Sequence, residues 1–142
     1  AVLTRLPADM PPIVITQHMP AGFTASFANR LSNICQLKVK EGADKMLLQS
    51  GTAIIAPGGK QMEIVKGPGD VLMVKISDTP PVSGHKPSVD VLFDSVAALA
   101  IKSTVGVLMT GMGKDGAKGL LTMRQAGMNT IGQDEASSVV YG

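Results

Sequence analysis

The sequence predicts an α/β domain built on a mostly parallel sheet, with an antiparallel hairpin at one edge. Three observations predict it. Short β-branched runs at Ile13-Val14-Ile15-Thr16-Gln17 and Thr104-Val105-Gly106-Val107-Leu108-Met109 have no polar alternation, the pattern of strands buried on both faces. Segments with helical apolar spacing follow such runs, and that alternation is the mark of a parallel sheet covered by helices. The middle of the chain instead alternates with period two on either side of Gly67-Pro68-Gly69-Asp70, a hairpin pattern.

Taken in order, Pro11-Pro12 precede the first strand, and Met19 to Ile34 reads as a helix. Pro20 suits its first turn. Phe23, Phe27, Leu31 and Ile34 make one apolar stripe. Thr52 to Ala56 is a strand ended by Pro57-Gly58-Gly59. Met62 and Ile64, then Leu72, Val74 and Ile76, mark the two arms of the hairpin. Pro87-Ser88 opens a second helix, with Ser88 as its N-cap and Asp90 near the positive end of its dipole. Val89, Phe93, Val96 and Ala100 form its expected buried stripe. After the strand at Thr104 comes the glycine loop Thr110-Gly111-Met112-Gly113-Lys114-Asp115-Gly116. Ala117 to Ala126 is a helix closed by Gly127, and Asn129 to Gly132 is a last short strand.

Composition narrows the function. The chain has 142 residues, room for a single domain. It is 44% hydrophobic and 17% charged, outside the range of disordered chains. With 13 basic and 11 acidic residues the formal charge is +2, which gives no electrostatic footprint for nucleic acid. No apolar run approaches the ~20 residues that span a bilayer, and no secretory signal is visible at Ala1-Val2-Leu3-Thr4-Arg5. A single cysteine, Cys35, excludes an internal disulfide, and with two histidines a dedicated metal site is not expected. Cys35 reads as core packing.

Ligands of open α/β sheets bind beyond the carboxyl ends of the strands. Three strands deliver polar groups there: Gln17-His18, then Thr110 to Asp115, then Gln133-Asp134-Glu135. His18 and Asp115 can therefore share one edge although they lie far apart in sequence. A carboxylate that accepts from one imidazole nitrogen fixes the tautomer, and the other nitrogen can act as a base. The alternative for His18 is a hydrogen-bonded structural residue. The glycine loop also reads two ways, as a backbone cradle for an oxyanion or phosphate or as a tight strand-to-helix turn. It is not a Walker A loop, and although Gly111, Gly113 and Gly116 have the G-x-G-x-x-G spacing, the preceding strand lies mid-chain and Asp134 is the one acidic residue at the right distance, so it does not read as a dinucleotide fingerprint. His85, in Gly84-His85-Lys86-Pro87, reads as a solvated loop residue. No G-x-S-x-G nucleophile turn occurs.

The runs Ile15-Thr16-Gln17-His18-Met19-Pro20, Ile55-Ala56-Pro57-Gly58, Pro87-Ser88-Val89-Asp90-Val91-Leu92-Phe93, Leu108-Met109-Thr110-Gly111-Met112-Gly113-Lys114-Asp115-Gly116 and Gln133-Asp134-Glu135-Ala136-Ser137 occur in this order across nearly the whole chain. Together they resemble the catalytic domain of the chemotaxis protein-glutamate methylesterase family, CheB. The resemblance implies a doubly wound, mostly parallel sheet. It also implies hydrolysis of glutamate methyl esters on the cytoplasmic helices of bacterial chemoreceptors, with deamidation of glutamines in some members. By resemblance His18 and Asp115 are the histidine and aspartate of a Ser-His-Asp triad, and the amide of Met112 is the oxyanion donor. No cofactor is implied. A cytoplasmic location and an N-terminal receiver domain are.

The family serine stands in a Ser-Thr-Gly-Gly turn upstream of the region that matches Ala1, and the family continues beyond Gly142. The chain is thus expected to be an internal piece of the domain, without the first strand, the nucleophile turn and the C-terminal end, and inactive by itself. Lys86 stands where the family often has Arg, which keeps the charge but loses the guanidinium fork. The reading from a different class is a non-catalytic α/β module that binds a receptor segment or an anionic ligand through the glycine loop.

Overall fold

The computed structural model describes residues 1–142. Its elements are β1 (Ile13–Ile15), α1 (Thr24–Ile34), β2 (Lys38–Glu41), β3 (Thr52–Ile55), β4 (Gln61–Lys66), β5 (Leu72–Ser77), α2 (Val89–Ala98), β6 (Val105–Leu108), α3 (Ala117–Gln125) and β7 (Asn129–Gly132). The mixed α/β class is as the sequence predicts. Parallel pairing dominates, and β4 and β5 form the antiparallel hairpin, with Ile64 opposite Val74.

The strands do not make one continuous ladder. They form three hydrogen-bonded groups: β1-β3-β2, the hairpin β4-β5, and β6-β7. Only β3 has partners on both sides within its group, and all four of its residues are buried. This corrects the expectation for the other runs. In β6 Val105 and Val107 are about half exposed, and Gly106 alone is buried. A side chain at Gly106 would meet Met123 and Leu120 of α3, so the strand's covered face takes a residue without one.

Strand β2 has no counterpart in the sequence reading. Its residues Lys38-Val39-Lys40-Glu41 carry one apolar side chain, which gives no run to detect. Val39 nevertheless packs with Ala28, Ala53 and Ile55 in a small core under α1. The helix itself begins at Thr24 rather than Met19, because Gly22 sits at φ +88° and turns the chain first. Its buried face is Thr24 and Ala28, with Phe27 and Leu31 beside them, whereas Phe23 and Ile34 of the expected stripe are exposed.

The main core lies where α2 and α3 pack against the hairpin and β3. Ile54, Met62, Ile64, Val74, Leu92, Phe93, Val96 and Met123 fill it. Ala100 falls past the end of α2 and does not join that face. The two helices come close at Gly119, where a Cβ would lie 2.7 Å from that of Phe93.

Candidate active site

His18 follows β1 on a segment braced from two sides. The Ala56 amide donates to the Ile15 carbonyl at 2.8 Å, which aligns the ends of β1 and β3. Beyond them Gly58 packs so closely on Pro20 that a Cβ would stand 2.4 Å from its carbonyl oxygen. The Gly58 amide also donates to the buried Thr24 hydroxyl, which in turn donates to Glu41. Backbone and side chain together set the exit direction of β1, and hence of the imidazole.

Asp115 comes from the other end of the chain, in the turn before α3. Its Oδ2 lies 2.6 Å from His18 Nε2. The sequence-predicted pair is therefore in contact, with the Asp115 side chain fully buried and the His18 side chain 32% exposed. Three further donors converge on the same carboxylate. Ser88 Oγ donates to Oδ1 at 2.7 Å, the Asp90 amide to Oδ1 at 3.0 Å, and the Val89 amide to Oδ2 at 2.7 Å. Burial pushes the Asp115 carboxyl up. The bonds from the Asp90 amide, Ser88, the Val89 amide and His18 outweigh it and hold the group below the usual carboxylate range. A carboxylate with this donor set only accepts, so His18 donates Nε2–H and its Nδ1 carries the free lone pair.

Ser88 stands at the N-cap position of α2 as expected, but the capping role needs correcting. Its side chain makes no cap bond to α2. The first amides of α2 are capped instead by Asp115, from a distant part of the chain. Asp90 returns the service: its Oδ1 accepts the Gly116 amide at 3.0 Å and the Gly119 amide at 2.7 Å, at the start of α3. A buried aspartate beside each helix thus caps the other helix.

A family model described as CheB methylesterase matches residues 1–142. The chain belongs to the CheB methylesterase family. Over 141 residues it is 57% identical to protein-glutamate methylesterase/protein-glutamine glutaminase 2 of Hahella chejuensis, covering 99% of this chain and 38% of that protein. It is 56% identical over 141 residues to the protein-glutamate methylesterase/protein-glutamine glutaminase of Salmonella typhi, covering 99% of this chain and 40% of that one. The crystal structure of the Thermotoga maritima CheB methylesterase catalytic domain superposes with a TM-score of 0.92 at 35% identity, over 99% of this chain and 74% of that one. The chain thus spans about two-fifths of the length of these curated relatives.

In this CheB-family domain the glycine loop projects from the end of β6. Met112, at its tip, is 79% exposed, and its amide donates to no protein group. The loop is held at its base. The Gly111 amide donates to the Val140 carbonyl at 3.1 Å, the Thr110 hydroxyl donates to the same oxygen at 2.7 Å, and the Thr110 amide donates to Gln133 Oε1 at 2.7 Å. The third polar cluster of the sequence reading therefore braces this loop and does not join the imidazole. Asp134 accepts from the amide and hydroxyl of Ser137, which keep its carboxyl low.

Near the site, the structure corrects the reading of His85 as a solvated loop residue and adds Gln61, which the sequence reading missed. His85 is half-buried and lines a cleft of about 290 Å³ with His18, Met19 and Pro87. Gln61 is fully buried at the start of β4, and its Oε1 accepts the Ser88 amide at 2.8 Å. No sequence spacing signals Gln61. Lys86 Nζ donates to Asp78 at 2.6 Å, and with Lys60 it lowers the Asp78 carboxyl. No three His, Cys, Asp or Glu side chains are placed to hold a metal ion. No helix is long and apolar enough to cross a membrane.

Proposed function

We propose that this domain belongs to a protein-glutamate methylesterase, which hydrolyses glutamate γ-methyl esters on the cytoplasmic helices of chemoreceptors and deamidates glutamines there by the same acyl chemistry. The observation that carries the reading is the 2.6 Å contact of His18 with a buried carboxylate held ionised by donors from α2. In the complete domain a serine from an upstream turn is the nucleophile. His18 Nδ1 takes the serine proton as the oxygen attacks the ester carbonyl, and Asp115 stabilises the resulting imidazolium. The unpaired Met112 amide donates to the oxyanion. His18 then protonates the departing methanol. Water, deprotonated by the same nitrogen, attacks the acyl-serine, and the glutamate carboxylate and free serine are restored.

The reading is supported by the names of the relatives and by the solved catalytic domain of the family. It carries a cytoplasmic location and control by an N-terminal receiver domain as parts of the same proposal. The test compares this chain with one extended upstream through the serine turn, on methylated receptor. The extended chain should release methanol, and this chain alone should not. His18→Ala and Asp115→Asn in the extended chain should each lower the rate by about 10⁴. Equal release by both chains would defeat the assignment. A binding module would retain receptor affinity and show no rate to lose.

A further inference from the structure

The His85 ring lies flat on the His18 ring. Their centroids are 3.7 Å apart and their planes are within 2° of parallel. We propose that His85 is a positioning residue for His18: it fixes the plane of the imidazole so that Nδ1 stays aimed at the reacting hydroxyl. The proposal rests on His18 being the general base.

The geometric need is plain. One hydrogen bond to Asp115 pins a single corner of the His18 ring. The ring can still swing about that corner, and with the side chain 32% exposed, part of it faces open solvent. A flat neighbour at van der Waals distance removes the swing. It also presents an aromatic face to the positive charge that His18 gains when it takes a proton.

His85 can do this because it is itself held. Its amide and carbonyl exchange two 3.0 Å hydrogen bonds with Val82. Gln61 Nε2 donates to the His85 carbonyl at 3.1 Å and to the Pro80 carbonyl at 3.4 Å. Gln61 Oε1 accepts the Ser88 amide, and Ser88 Oγ donates to Asp115. One buried glutamine thus anchors both the residue stacked on the imidazole and the residue bonded to its carboxylate. A solvated loop histidine, the expectation from sequence, would have neither the stack nor the anchor.

The test uses the chain extended through the serine turn, with His85→Ala, His85→Leu and His85→Phe. Phe keeps a flat aromatic face, and Leu keeps volume without one. His85→Ala and His85→Leu should lower kcat about three- to tenfold and change KM less than about twofold. His85→Phe should stay within about twofold of the parent. Unchanged kcat in His85→Ala, or His85→Leu performing as well as His85→Phe, would overturn the proposal. A second readout needs no turnover. In the 142-residue chain, His85→Ala should shift the ring-proton resonances of His18, because the ring current of its neighbour is gone. Unmoved His18 resonances would show that the rings do not stack and would also overturn it. If the unsubstituted extended chain hydrolysed no ester while those resonances moved, the esterase reading would fail and the stack would stand.

Discussion

At the residue scale, the Asp115 carboxylate joins two jobs that are usually separate. It orients an imidazole and it caps a helix, with donors from His18, Ser88, Val89 and Asp90 on its two oxygens. Its carboxyl is held below the value it has in the unfolded chain, about 4. The unfolded chain therefore binds the proton more readily. Stability from this group is complete above about pH 4 and is lost as pH falls through the lower folded value. Urea unfolding should show that decline. Ser88→Ala removes one charge-assisted donor and should cost about 1.5–3 kcal/mol at pH 7, and less once pH has fallen through the lowered folded value, where the neutral carboxyl accepts weaker bonds. A loss that stayed the same through the whole acid decline would contradict the carboxylate's role. The His18–Asp115 pair was legible in the sequence because each residue follows a β-branched run, and polar groups just past such runs are expected at the carboxyl ends of the strands. The donors around Asp115 were not legible. They depend on the start of α2 meeting the start of α3, a tertiary fact with no local signal.

At the element scale, α2 and α3 are bound together at their starts by exchanged caps. Asp90→Ala would leave the buried Gly116 and Gly119 amides without an acceptor. It should destabilise the domain by about 2 kcal/mol and speed hydrogen exchange at those two amides first. Exchange that rose uniformly along α3 would argue against a local cap. Gly119→Ala tests the close approach of the same helices. Its Cβ would meet Phe93 at 2.7 Å and Asp90 Oδ1 at 3.0 Å, and the strain should cost about 1–3 kcal/mol. A neutral effect on the unfolding midpoint would mean the helices can separate freely. Periodicity served well where packing is one-sided and regular. The hairpin alternation and the helix at Val89–Ala98 were both visible. It failed at α1, where Gly22 delays the helix and Ala28 and Thr24, neither a strong hydrophobe, form the buried face. It failed at β2 as well, where Val39 is the one apolar residue in a charged strand.

At the scale of the whole molecule, the strand groups leave free ladder edges. β1 pairs with β3 alone and β6 with β7 alone. Val105 and Val107 of β6 are exposed beside one such edge. Unpaired edges with apolar neighbours invite pairing with another chain. Sedimentation of this chain at high concentration should give masses above the monomer, and a monodisperse monomer would contradict that expectation. The α/β class was readable because continuous β-branched runs and helical spacing alternate along the sequence. The division into three groups was not, because a run of β-branched residues does not say which neighbour it has.

The central claim is that His18, tied to Asp115 through one nitrogen, presents the other as a base. Long-range nitrogen–proton correlation on the His18 ring in this chain reads that most directly. The neutral ring should be the Nε2–H tautomer, with an Nε2 proton whose signal moves in Asp115→Asn. An Nδ1–H tautomer, or an Nε2 signal indifferent to that substitution, would contradict it.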